Sequence, residues 1–507
     1  MFKFLLALLA PKKRMAQAPV VSPSTAQADL LDQAEAHLNA GHPREALPLF
    51  LRWLETLPDH ALAHNAVGVC YSEMGDQAKA KHHFDIAFAL DDLHPAILAN
   101  RAKMHLDVHE YAETHRCLQR LASLGPDFSY LYAVYSGLCI AQGEAELARR
   151  AALKAWLGNF DSLRTANVFL FDNAYACPSE TQLSAEHRFW AGTLQRPETL
   201  PPAAPPVVLP SDKGQRIRIA YWSPDFRNHS VRYFFKPLIK GHDRSQFEIH
   251  LLHDIFTHDE HTDYFESQAD HFHDVYALSD RELQNFIREQ NFDVLVELAG
   301  HTSVNRINLL AERLARVQIT ALGYPPTTGL DTVDFKLADR YIHTPEAEPY
   351  YSERLLVLPT SFWCFDPMEP APLADDPPVV RQGHVTLACV GNLSKISDEC
   401  LDAWREVMVR VPNSRLLLRS IPFVSSFIQE HWQRKLDAAG FSMDRVDLKP
   451  PLGGEQFFTS YNDIDLILDT FPFNGGTTTS FAVYMGVPVV SLSGASLISR
   501  MGRSILN

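Results

Sequence analysis

The hydrophobic pattern changes character once along the chain. From residue 27 to about 157, apolar and small residues recur at helical spacing, and a longer period is laid over them. Ala46 and Phe50 precede Ala80 and Phe84 by 34 residues, and Ala34 precedes Gly68 by the same interval. Tyr71 stands three residues after Gly68 and Ala87 three after Phe84, while Pro58 and Pro126 are 68 apart. Thr114, Leu118 and Leu121 carry the register past a slip near His94-Pro95. This period predicts about four tetratricopeptide-type repeats, in which small residues let paired helices approach closely. Stacked repeats form a groove suited to docking a protein; a scaffold that only caps the next domain is the alternative. Helices are expected to continue without the period to Gln195.

Beyond residue 216, short apolar runs alternate with amphipathic segments, which predicts a parallel α/β architecture with loops gathered at the carboxyl edge of the sheets. In a first unit, strands are expected at Ile217–Tyr221, Phe247–Leu252, Asp293–Leu298 and Val317–Leu322. Three of the following loops carry candidate chemistry: His229, then Gly300-His301-Thr302, then Gly323-Tyr324-Pro325. An imidazole such as His229 titrates near neutrality and suits a general base; capping the next helix is its structural alternative, and the same holds for His301. His250, His253, His258 and His261 match no closed zinc spacing and read as a solvated, acid-flanked loop. In a second unit, strands are expected at Val385–Val390, Ser414–Leu418 and Arg445–Leu448, with helices at Asp398–Val409, Phe427–Ala439 and Gln456–Tyr461.

The stretch from Asp465 to Gly494 reads as strand (Leu466 to Leu468), a turn through Asn474, the run Gly475-Gly476-Thr477-Thr478-Thr479, a helix from about Ser480 to Met485, and a strand from Val487. A strand–glycine/threonine turn–helix aims free amides and the positive end of a helix dipole at one point, where a phosphate fits. A tight turn with a threonine cap is equally compatible. Asn392 and Lys395 follow another strand of the same sheet. An ammonium beside a helix amino terminus neutralises a departing diphosphate. The nucleotide fingerprints G-x-x-x-x-G-K-[ST] and G-x-G-x-x-G do not occur. Asp463-Ile464-Asp465 forms a D-x-D, but at a strand entry, which reads as structural rather than metal-binding.

Composition narrows the function classes. A formal charge of −15 argues against a general nucleic-acid binder or a polybasic membrane surface. The seven cysteines contain no C-x-x-C pair and read as buried free thiols of a reducing compartment. No apolar run is long enough to span a bilayer. The basic residues Lys12, Lys13 and Arg14 follow the short apolar start instead of preceding it, unlike a secretory signal.

Taken together, these residues resemble the O-linked N-acetylglucosamine transferase and SPINDLY family. The matching segments are SPDFRNHSV (Ser223–Val231), VELAGHT (Val296–Thr302), LGYPPTTGLDTVDF (Leu322–Phe335), YSERLLVLP (Tyr351–Pro359), GNLSKISDECLDAW (Gly391–Trp404), VPNSRLLL (Val411–Leu418), LDTFPFNGGTTT (Leu468–Thr479) and YMGVPVV (Tyr484–Val490). The resemblance implies helical repeats followed by two Rossmann-like domains (a GT-B glycosyltransferase) that move a sugar to Ser or Thr hydroxyls with inversion and without a metal or other cofactor. By position it implies His229 as active-site base and Lys395, with Asn392, at the diphosphate. It also implies Gly475, Gly476, Thr477 and Thr478 at the phosphate, Gly323-Tyr324-Pro325 lining the sugar pocket, and His301 and Thr302 near sugar or acceptor. UDP-N-acetylglucosamine is the first donor expected and GDP-fucose the alternative. Two positions depart from the family: Phe457 replaces a usual histidine and Phe481 a usual acidic residue, both of which help hold the nucleoside.

The expected organisation is a tail (1–26), repeats (27–195), a proline-rich linker (196–211), an N-terminal Rossmann-like catalytic domain (212–372) and a C-terminal nucleotide-sugar domain (373–507). Relatives continue past the position of Asn507, so the last domain is expected to be incompletely covered. The leading expectation is a cytoplasmic protein O-glycosyltransferase that takes acceptor proteins in its repeat groove, with neither nucleic acid nor membrane as partner. A repeat adaptor with a degenerate transferase domain is the competing class.

Overall fold

The computed structural model describes residues 25–39, 42–125, 129–160, 162–176, 179–194, 216–302, 305–367, 370, 373–453 and 456–507. Most of the expected tail, the proline-rich linker, Pro126 and Cys177 lie outside these residues. The chain forms two compact units, one reaching to Leu138 and including Arg150–Thr165, the other Cys139–Arg149 with Ala166–Asn507. The division thus falls within helices Ser129–Gln142, Ala145–Gly158 and Leu163–Ala176, upstream of the linker.

The first unit contains successive helices Thr25–Asn39, Pro43–Thr56, Ala61–Glu73, Gln77–Leu90, Pro95–Asp107 and Tyr111–Leu124. Its core contains the residues that carry the period: Ala34, Ala46, Phe50, Ala80 and Phe84 are buried together with Trp53, Val67 and Cys70. Gly68 is required by close approach, because a Cβ there would lie 2.8 Å from the Phe84 ring. Asp76 starts helix Gln77–Leu90 by accepting from the Lys79 amide at 3.1 Å, as an N-cap aspartate should.

The second unit holds two sheets whose strands all pair in parallel. The first comprises β1 (Ile217–Ser223), β2 (Phe247–His253), β3 (His271–Asp274), β4 (Val294–Glu297), β5 (Val317–Thr320), β6 (Phe335–Asp339) and β7 (Arg354–Leu358). The second comprises β8 (Val385–Val390), β9 (Ser414–Arg419), β10 (Val446–Lys449), β11 (Leu466–Leu468) and β12 (Val489–Val490). Their orders are β3-β2-β1-β4-β5-β6-β7 and β10-β9-β8-β11-β12. Each sheet therefore reverses direction next to its first strand, between β1 and β4 and between β8 and β11. Open α/β sheets bind ligands outside the carboxyl ends of strands at such a reversal. Two apolar layers fix the sheets, one including Ile219, Phe226, Phe235, Ile249 and Leu298, the other Ala388, Leu417, Tyr461, Ile467 and Phe481.

Strands β3, β6 and β7 were not expected from the sequence. The acidic, proline-bearing segment 373–383 contains the short helix Pro378–Gln382. The D-x-D is structural: Asp465 accepts from the amides of Val379 at 2.9 Å and Thr386 at 2.8 Å, tying this segment to the start of β8. Among the described cysteines, Cys364 is exposed, contrary to the expectation of uniformly buried thiols.

Candidate functional site

The loops after β8 and β11 leave adjacent strands of the second sheet. They share a cavity of about 360 Å³, whose lining includes Gly391, Asn392, Lys395 and Asp469 together with Gly475 through Thr479. Asn392 caps the turn Leu393–Lys395 by accepting from the Ser394 amide at 2.9 Å. Lys395 Nζ donates to the Asn474 carbonyl at 3.0 Å and sits 4.0 Å from the centroid of the Phe473 ring. Burial pulls its pKa down to about 8, opposed by the charge of Asp469.

Asp469 organises the second loop, a role not foreseen from the sequence. Its Oδ1 accepts from the amides of Gly475 at 2.7 Å and Thr470 at 2.9 Å, and its Oδ2 from Ser491 Oγ at 2.7 Å. The turn closes so tightly that a Cβ on Gly475 would lie 2.3 Å from Thr479 Oγ1. The helix that follows spans Thr477–Tyr484 with Gly476 as N-cap, three residues earlier than expected. Threonine is tolerated there because first-turn amides have no intrahelical acceptor, so little is lost to its weak helix propensity. Thr477 and Thr478 are thus first-turn residues, where backbone donors and the helix dipole favour an anion. The lining contains one cation, Lys395, and one carboxylate, Asp469, whose oxygens are already engaged.

Val390, Ile467, Leu468 and Phe481 form an apolar part of the wall. Phe481 makes edge contacts with Tyr233 at 4.8 Å, Phe457 at 5.1 Å and Phe365 at 5.6 Å, so both departing positions belong to one aromatic cluster. Tyr175, from helix Leu163–Ala176, also lines the cavity. Its hydroxyl accepts from Asn392 Nδ2 at 3.2 Å and its ring stacks on Phe473 at 5.3 Å. Ser230, from the loop after β1, lines the cavity as well.

The remaining candidates are distributed differently. His229, beside Ser230, lies with Nδ1 3.4 Å from Asp225 Oδ1. Burial pulls the imidazole pKa down while the Asp225 charge opposes that shift. Asp225 is itself buried, and desolvation raises its pKa. An acid–imidazole pair of this kind can orient a base. His301 is not among the cavity residues: it is fully buried, with Nδ1 2.8 Å from Asn167 Oδ1 and Nε2 2.9 Å from the Thr328 carbonyl. Thr302 follows it, with a buried Oγ1 that has no partner among the described residues. Tyr324 is also withdrawn: its hydroxyl donates to the Leu170 carbonyl at 3.1 Å and meets His187 Nε2 at 2.7 Å. Gly323 donates to the Leu298 carbonyl at 3.0 Å, and Pro325 is half-buried outside the cavity lining. These loops fasten helices Leu163–Ala176 and Glu180–Thr193 to the first sheet. His250 and His253 are buried on β2, each 1% exposed, which corrects their reading as a solvated loop; His258 remains exposed.

Two crossover-wound sheets, one carrying an anion-receptive cavity at its point of reversal, define an α/β protein of paired Rossmann-like halves. The chain matches glycosyl transferase family 41 over residues 205–372 and 381–507, and it belongs to that family. It is 34% identical over 332 residues to the probable UDP-N-acetylglucosamine–peptide N-acetylglucosaminyltransferase SPINDLY of Arabidopsis thaliana, covering 64% of this chain and 36% of that protein. It is 26% identical over 320 residues to the SEC protein of the same description and organism, covering 60% and 32% respectively. The chain therefore spans about a third of the length of these relatives. Among solved structures, a mutant form of the Thermobaculum terrenum O-GlcNAc transferase matches with a TM-score of 0.73 at 27% identity, over 96% of this chain and 86% of the other.

Proposed function

We propose that this protein transfers a sugar from a nucleoside diphosphate to Ser or Thr hydroxyls of proteins, with N-acetylglucosamine from UDP as the first donor to test. The observation that carries the proposal is the single cavity joining Lys395 to the helix start at Gly476–Thr478. The acceptor oxygen attacks the anomeric carbon opposite the diphosphate. The new glycosidic bond forms as the bond to the diphosphate oxygen breaks, so the configuration inverts. Lys395, the first-turn amides and the threonine hydroxyls take up the charge developing on the leaving group, and no metal ion is assigned to this task. His229, oriented by Asp225, receives the acceptor proton. Asn392 supports the Lys395 turn. The printed names of the relatives support the donor and acceptor classes. The helical repeats are assigned to holding the acceptor protein, and the working compartment is the cytoplasm; among the described residues no helix is long and apolar enough to cross a membrane.

A second reading is favoured by Phe481 and Phe457: a repeat adaptor whose nucleoside pocket has closed into an aromatic cluster. Thermal-shift titration with UDP, GDP and their sugar conjugates separates the two. Stabilisation by one nucleotide, absent in Lys395→Ala, and transfer of labelled sugar to lysate protein support the enzyme. No shift with any nucleotide supports the adaptor. A shift with GDP-fucose alone would move the donor assignment without changing the class.

A further inference from the structure

Outside this cavity, the edge of the first sheet gathers four potential metal-ligating side chains. Strand side chains alternate between faces, so Glu248 and His250 project from one face of β2, and His271 and His273 from one face of β3. The parallel register pairs His250 with His271 and Leu252 with His273, which brings the two pairs together. Glu248 Oε1 lies 2.9 Å from His250 Nε2 and 3.3 Å from His271 Nε2. The three ligand atoms all fall within 4.8 Å of one another. A tetrahedral ion with bonds of about 2.0 Å needs ligand atoms about 3.3 Å apart.

The surroundings are also suitable. His273 Nε2 lies 3.1 Å from His250 Nδ1, a contact that fixes which His250 nitrogen remains free for an ion, as outer partners of metal ligands do. Phe292 packs edge-on to His250 at 4.9 Å and Phe286 to His273 at 5.1 Å, restraining both rings. His271 is half exposed, leaving room for water as a fourth ligand. Arg218 opposes binding: its guanidinium lies 3.4 Å from both Glu248 Oε1 and His250 Nε2. It is also bonded to the Gln290 carbonyl and, at 3.3 Å, to Gln290 Oε1, so it has partners to keep when an ion draws Glu248 away.

We propose that Glu248, His250 and His271 form a site for a zinc-class divalent ion that clamps edge strand β3 to β2, with His273 as positioning residue. The site lies apart from the donor cavity and does not depend on the transferase reading. The test uses the full chain stripped with chelator and dialysed, then titrated with Zn²⁺ alone by calorimetry and with Co²⁺ by visible absorption. One equivalent is expected to bind with tetrahedral-type cobalt bands and to raise the melting temperature. His271→Ala, at a half-exposed position, should fold and lose that equivalent. His273→Ala should weaken it about tenfold. His258→Ala, in a separate exposed cluster with Asp263 and Glu266, should retain it. No binding by the wild type, or unchanged binding in His271→Ala, would overturn the proposal, as would loss in His258→Ala instead.

Discussion

Replacing Lys395 with methionine removes the cavity's cation while keeping most of the side chain's bulk. In the free protein the ammonium is partly buried, and its pKa falls from 10.5 to about 8. Each pKa unit corresponds to about 1.36 kcal/mol. Discounted for partial exposure, carrying this charge costs the folded state on the order of 2 kcal/mol at pH 7. A bound diphosphate recovers that cost and adds a charge-assisted hydrogen bond worth about 1.5–3 kcal/mol. Lys395→Met should therefore weaken UDP by about 400- to 5,000-fold, both contributions being lost, while raising the unliganded protein's stability by about 1–2 kcal/mol. The two effects have opposite signs, which a general packing defect would not produce. The pH dependence follows from the same shift. Because the folded pKa is depressed, the unfolded chain binds more protons between about pH 8 and 10.5, so the destabilisation is present below pH 8 and is relieved as pH rises through that window. UDP affinity should instead fall above pH 8, by up to about tenfold per unit, as the ammonium deprotonates. Calorimetry with UDP and denaturant unfolding across pH 7–10 read both quantities. Wild-type UDP affinity in the variant would refute the assignment of Lys395 to the diphosphate, and a clear loss of stability would refute the buried-charge argument.

His229→Ala should cut turnover about 10²- to 10⁴-fold and leave UDP affinity within a factor of about two; an unchanged rate would remove the imidazole from the mechanism. Asp225→Asn removes the charge that raises the His229 pKa, so the acid limb of the rate profile should move to lower pH, and a limb that stays in place would count against the pair. Asp469 is the only carboxylate lining the cavity among the described residues and its oxygens are engaged, so UDP and 2′-deoxy-UDP should bind about equally; a UDP preference above about tenfold would refute this and mean that a group other than a free cavity carboxylate reads the ribose. Gly475→Ala should abolish most UDP binding, since its Cβ would collide with Thr479 Oγ1, and retention of wild-type affinity would show that the turn can relax.

The legible part of the fold is the part buried on both faces. Strands β1, β4, β8 and β11 are largely apolar runs, as interior parallel strands must be, and β2 and β9 carry shorter ones at Leu251-Leu252 and Leu416-Leu417-Leu418. The unexpected strands break that rule for identifiable reasons. Edge strand β3 reads His-Phe-His-Asp, with one apolar residue in four and none of them buried. β6 carries Lys336, which is buried but donates to the Tyr324 carbonyl at 2.7 Å, a partner that no local pattern discloses. β7 is apolar in composition yet largely exposed. The repeats were legible because helix pairing depends on small residues at a fixed interval, and Gly68 against Phe84 is the contact that such an interval requires.

The site divides along a similar line. Lys395 and Thr477 could be related from sequence because both follow strands, and adjacent strands bring their loops to one edge whatever the side chains do. His301 and Tyr324 occupy comparable positions in the first sheet, and that analogy led to the expectation that they face a ligand. Their partners, Asn167, Leu170 and His187, come from a helical stretch that had lost its repeat period and so offered no register. A polar residue in a carboxyl-edge loop therefore has two ways to be satisfied, by a ligand or by a covering helix, and local sequence does not distinguish them. Tyr175 shows the same helix acting in both capacities: its segment covers the first sheet, while its own hydroxyl meets Asn392 in the cavity. Helix Leu163–Ala176, from Ala166 onward, is thus part of the unit that forms the candidate donor site.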